Sequence, residues 1–131
     1  MSEPFFKCHE FNFQTVDTQP ERFIAALAET DRAKLEVACR GVANSFADKS
    51  PPVRSRLVRG AKLHDLFAIY IDWPRSPGPT RLLLARRVGT RVLVARAFAD
   101  AAGDIPVDEV KRAERALARV AADDGGAEGG N

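Results

Sequence analysis

The sequence predicts an α+β domain in which a helical hairpin packs on a small antiparallel β-sheet and a further helix closes the chain. Three observations carry that expectation. Apolar residues recur at helical spacing between 20 and 47, strand alternation and turn chemistry fill 63–98, and a second helical stretch follows Pro106. At 131 residues the chain holds one core rather than two. The expected division is a domain over 1–122 and a disordered, acidic and glycine-rich tail over 123–131.

The elements follow in order. Phe11 and Phe13 alternate with polar residues, so Phe5 to Val16 reads as one short strand. Thr18-Gln-Pro-Glu21 offers a capping box with proline in the first turn, starting a helix from about Pro20 to Glu29 that buries Phe23, Ala26 and Leu27. A second helix starts at Thr30-Asp31 and runs to about Ala47, with Leu35, Ala38, Cys39, Val42 and Phe46 on one side. Ser50-Pro51-Pro52 stops it. A strand over 63–71 puts Leu63, Phe67, Ile69 and Ile71 on one face. The run from Trp73 to Pro79 is loop, Thr80 to Val88 is strand, and Gly89-Thr90 turns the chain into Arg91 to Phe98. The last helix carries Val107, Val110, Ala113, Leu117 and Val120 on one side. These elements give the order β-α-α-β-β-β-α.

Charge is strongly segregated. Residues 1–50 carry 6 basic and 8 acidic side chains, residues 51–98 carry 10 and 2, and residues 99–131 carry 4 and 8. The middle segment is therefore +8 and mostly arginine, whose planar fork suits phosphate, so a polyanion is the expected partner. Cys8 and Cys39 are too few for a disulfide framework and read as reduced thiols. No run is long and apolar enough for a membrane span, and Met1-Ser2-Glu3-Pro4 does not open a secretory signal, so a cytoplasmic protein without membrane contact is expected. No Gly-rich phosphate loop, nucleophile elbow or His-Glu-x-x-His is present, and His9 and His64 are too few and too far apart for a metal site. No cofactor is expected.

Several local patterns are more specific. The helical part reads Phe23-Ile-Ala-Ala-Leu-Ala-Glu-Thr-Asp31-Arg-Ala-Lys, and the first middle strand Leu63-His64-Asp65-Leu66-Phe67. The next opens Thr80-Arg81-Leu82-Leu83-Leu84, the third ends Val94-Ala-Arg96-Ala-Phe98, and Phe98 stands eight residues before Pro106. In this order and at these separations, the patterns resemble the RelE/HigB-type toxins of type II toxin–antitoxin systems, particularly the phage-derived HigB-like branch. The resemblance covers about Phe23 to Val120. It implies a RelE-like fold and a metal-independent endoribonuclease, an mRNA interferase that cuts mRNA on the ribosome and stops translation. It also implies a cognate antitoxin as partner, beside the ribosome and mRNA.

The chain departs from that pattern at three points. Asp100 and Ala101 stand where the family often has two lysines, Phe67 replaces an arginine, and Thr80 replaces an aromatic. Arg81 is the clearest basic position retained, and is expected to bind phosphate and stabilise the transition state. His64 is expected to transfer protons, since imidazole does so near neutral pH. Asp100, like Asp104, lies where the family supplies catalytic groups, and a carboxylate there is a candidate base. Arg59, Lys62 and Arg96 are expected on the RNA backbone, and Trp73 (with Tyr70) against a base. The alternative is a catalytically degenerate module that binds RNA or protein on the same scaffold. A gyrase-poisoning relative fits the Phe98-to-Pro106 spacing less well.

Overall fold

In the computed structural model, which describes residues 3–51, 54–72, 78–100 and 105–129, with side chains of the last helix to 120, alternation along the strands sorts apolar residues onto two layers. The elements are β1 (Phe6–Cys8), β2 (Phe11–Thr15), α1 (Thr18–Ala25), α2 (Glu29–Asp48), β3 (Ser55–Leu57), β4 (Phe67–Tyr70), β5 (Thr80–Val88), β6 (Arg91–Asp100) and α3 (Val107–Gly129). The strands form one sheet in the order β1-β2-β6-β5-β4-β3.

The class is α+β, as expected, but the sheet is neither small nor purely antiparallel. Among the described residues it has six strands, and β2 runs parallel to β6, with Phe13 opposite Val92 and Thr15 opposite Val94. That pairing closes over nearly eighty residues and leaves no local signal. The meander β4-β5-β6 was legible, because each strand meets the next antiparallel.

The single strand expected over 5–16 is a hairpin. Cys8 pairs with Phe11 across His9-Glu10, and His9 takes the left-handed conformation, φ 55°, that so tight a turn needs. The helix starts also shift. Asp17 caps α1, its Oδ1 accepting from Thr18 N at 2.8 Å, so Thr18 is a helical residue rather than the cap. α1 then ends at Ala25 and buries Pro20 and Ile24, while Ala26 is exposed. Gln19 fastens it to β6, its Oε1 accepting from Ala97 N at 3.0 Å. α2 buries Leu35, Ala38, Cys39 and Val42 as expected and ends at Lys49, which is left-handed at φ 56°. Burial pushes the Cys39 thiol well above the usual range, so it packs as an inert apolar group.

One apolar layer lies under α1 and α2. It joins Phe11, Phe13, Ile24, Leu35 and Val42 to Phe67, Ile69, Ile71, Leu83, Ala85, Val92 and Val94. The other lies under α3 and joins Leu66, Ala68, Tyr70, Leu82, Leu84, Leu93, Ala95 and Phe98 to Ala113, Ala116 and Leu117. Leu63, expected with Phe67, packs against this second layer because 58–66 is a turn and β4 begins only at Phe67. Val107, expected on the buried side of α3, is exposed. In β6, Ala95 is an extra residue between the pairs Ala85–Val94 and Leu84–Arg96, a one-residue bulge that turns Arg96 towards α3. The backbone of α3 continues helically through 123–129, the stretch expected to stand outside the domain.

Candidate functional site

The sheet separates the two residues expected to share a site. Arg81 stands near the start of β5 on the side of α2, and the Nε–Nη2 edge of its guanidinium is engaged there. Nε donates to Asp72 Oδ2 at 2.8 Å, while Nη2 donates to Asp72 Oδ1 at 3.0 Å and to Asp31 Oδ1 at 3.0 Å. Asp72 Oδ2 also accepts from Arg81 N at 3.1 Å, and Lys34 Nζ stands 3.9 Å from Asp31 and 4.0 Å from Asp72. The hydrogen bonds from Arg81 hold both carboxyls below the usual range, and the same bonds raise the guanidinium pKa. Two cations meet two carboxylates, so the cluster is neutral. A phosphate would have to displace a bidentate carboxylate to take the Nε–Nη2 edge of Arg81. In this conformation Arg81 ties the start of α2 to the sheet.

His64 lies on the other side, in the turn between β3 and β4. That turn reverses at Gly60, whose φ of 78° favours glycine, and closes with Val58 N donating to Leu66 O at 2.9 Å. Glu114 of α3 steadies it, Oε2 accepting from Lys62 N at 2.6 Å and from Leu63 N at 3.1 Å. The turn, β3 and the first turns of α3 enclose an open cleft of about 980 Å³. Arg56, Arg59, His64 and Tyr70 line it with Leu57, Val58, Gly60, Ala61, Ile105, Val107 and Val110. Tyr70 is a buried part of the wall, and the Arg56 guanidinium stands 5.8 Å from its ring centre. Leu57 and Val107 expose apolar surface at 64% and 67%.

The cleft is electrostatically one-sided. No carboxylate occurs among its described lining residues, and no described acid pairs with Arg56 or Arg59. Two guanidinium forks, an imidazole and an aromatic wall thus face one open space.

The other expected residues are dispersed. Lys62 is exposed on the turn beside the cleft. Arg96 is tied to α3, its Nε donating to Glu109 Oε1 at 2.6 Å, with both side chains largely buried. Asp100 ends β6 opposite Thr80 and is not among the described residues lining the cleft. Trp73, Ala101 and Asp104 lie outside the described residues. Arg56 was counted in the basic tract but not singled out. A three-residue strand after two prolines carries too little periodicity to mark it. The chain matches no protein-family model, no curated protein and no solved structure. Among the described residues, no helix is long and apolar enough to cross a membrane.

Proposed function

We propose that the chain is a ribosome-dependent, metal-independent mRNA endonuclease of the RelE/HigB toxin type, acting through the cleft around His64. The observation that supports this reading is the cleft that gathers Arg56, Arg59, His64 and Tyr70 with no carboxylate among its described lining residues. Arg56 and Arg59 take the role expected of Arg81, since among the described residues no acid holds either guanidinium away from phosphate oxygens.

The chemistry follows from those groups. The RNA 2′-OH attacks the adjacent phosphorus and its proton passes to His64 Nδ1 or Nε2. The 5′-oxygen leaves with a proton taken from a water molecule, and His64 returns its own proton to solvent, giving a 2′,3′-cyclic phosphate and a 5′-hydroxyl. Arg56 and Arg59 stabilise the charge that builds on the phosphorane oxygens. Leu57 and Val107 offer apolar contact to unstacked bases at the rim. The toxin works in the cytoplasm, and its cognate antitoxin would silence it by covering this basic cleft.

The test is induced expression in a bacterial host with primer extension on a reporter mRNA. Growth arrest with new 5′-ends inside translated codons, absent in His64→Gln, is the expected result. Normal growth and intact mRNA from soluble wild-type protein would sink the nuclease reading. A second reading, a catalytically degenerate module that binds RNA or protein, is favoured by one observation: the retained Arg81 is held by Asp72 and Asp31. Intact mRNA together with tight RNA binding would select it.

A further inference from the structure

Helix α3 carries opposite chemistry on its two flanks. At about 100° per residue, Arg112, Arg115 and Arg119 fall within a sector of about 60°. Val107 and Val110 line the His64 cleft on the far flank, beside Glu114, which is engaged by the Lys62 and Leu63 amides, while Ala113, Ala116 and Leu117 are buried against the sheet between the two flanks. The arginine flank borders a second cleft of about 460 Å³, lined also by Asp17, Arg96 and Ala118.

Of the described acids of this helix, Asp108 alone falls on the arginine flank, four residues before Arg112, and no ion pair joins it to an arginine among the described residues. Glu109 is engaged by Arg96 and Glu114 by the amides of Lys62 and Leu63. Arg119 Nη2 lies 3.2 Å from Asp17 Oδ2, but among the described residues no acid pairs with Arg112 or Arg115. Both are exposed.

We infer that Arg112, Arg115 and Arg119 form a second anion site, separate from the His64 cleft, that grips the phosphate backbone of a double-stranded RNA segment. Guanidinium forks stepped along a rigid helix suit a regular row of phosphates. An anionic membrane fits less well. A helix lying on a bilayer inserts an apolar face, and the apolar face of α3 is already buried in the core. The inference does not depend on cleavage at His64.

The experiment is fluorescence anisotropy of a labelled 20-base-pair RNA duplex over a potassium chloride series, with the full chain. Four proteins are compared: wild type, Arg112→Gln/Arg115→Gln, the cleft variant Arg56→Gln/Arg59→Gln, and the charge-matched control Lys7→Gln/Lys49→Gln. The α3 variant should bind about tenfold more weakly in 0.1 M salt, with a log–log salt slope shallower by about 2. The control should keep the wild-type slope. An unchanged slope in the α3 variant, or an equal loss in the control, overturns the inference. So does a wild type that ignores the duplex but binds vesicles containing phosphatidylserine through these arginines. None of these outcomes touches the cleft, which the His64→Gln cleavage assay judges by itself.

Discussion

At Arg81, two carboxylates occupy the guanidinium that the sequence marks for phosphate, and this sets what its removal should do. Arg81→Ala strips a bidentate partner from Asp72, and hydrogen bonds to charged groups contribute about 1.5–3 kcal/mol each. Urea unfolding at pH 7 should show a loss of about 1–3 kcal/mol, with RNA affinity little changed. The sign of the pH dependence follows from the depressed carboxyls of Asp31 and Asp72. Their contribution is fully present above the ordinary carboxylate value of 3.8 and fades as pH falls through the lower folded-state values. The gap between wild type and Arg81→Ala should therefore narrow below about pH 4. A gap that stays constant or widens in acid would contradict the ion cluster. The role of Arg81 was not readable from its neighbours in sequence. Asp31 lies 50 residues away, and Asp72 reaches Arg81 only because β4 and β5 pair in register.

At the scale of elements, the cleft depends on α3 holding the turn between β3 and β4. Glu114→Ala removes the acceptor for the Lys62 and Leu63 amides, a loss of about 1 kcal/mol, because exposed turn amides find water instead. Hydrogen exchange at Lys62 and Leu63 should quicken and cleavage should fall, while β5 and β6 amides keep their protection. Unchanged exchange at those two amides would show that Glu114 does not order the turn. The strands themselves differed in legibility. Thr80–Val88 was expected with its observed bounds because Gly89-Thr90 punctuates it sharply, and α2 because its apolar stripe is long. β4 begins four residues later than expected, since Leu63-His64-Asp65 alternates like a strand yet folds as a turn capped by a helix 50 residues on. The arginine flank of α3 was present in the sequence as an i, i+3, i+7 pattern, but the −4 total of residues 99–131 concealed it.

At the scale of the whole molecule, one sheet serves two apolar layers, so neither layer stands without the other. Leu35→Ala beneath α2 and Leu117→Ala beneath α3 each open a cavity in a well-packed core, at a cost of about 2–5 kcal/mol. Both should lower the midpoint of a single thermal transition seen alike by circular dichroism and by intrinsic fluorescence. Two separable transitions would mean that the layers melt independently. The sequence alone supported the α+β class and the meander. It did not disclose the parallel β2–β6 pairing, which rests on chain closure rather than on pattern. Nor did it show that the sheet would place His64 and Arg81 on opposite faces.

We propose that RNA is cut in the His64 cleft and not around Arg81. Purified wild type, His64→Gln and Arg81→Ala, each checked for folding, can be incubated with ribosomes programmed with a defined mRNA. The new 3′-ends are then analysed by mass spectrometry. Wild type and Arg81→Ala should both give 2′,3′-cyclic phosphate ends, with a loss of about 10²–10⁴-fold in His64→Gln. Cleavage that survives His64→Gln, or that folded Arg81→Ala abolishes, would contradict it.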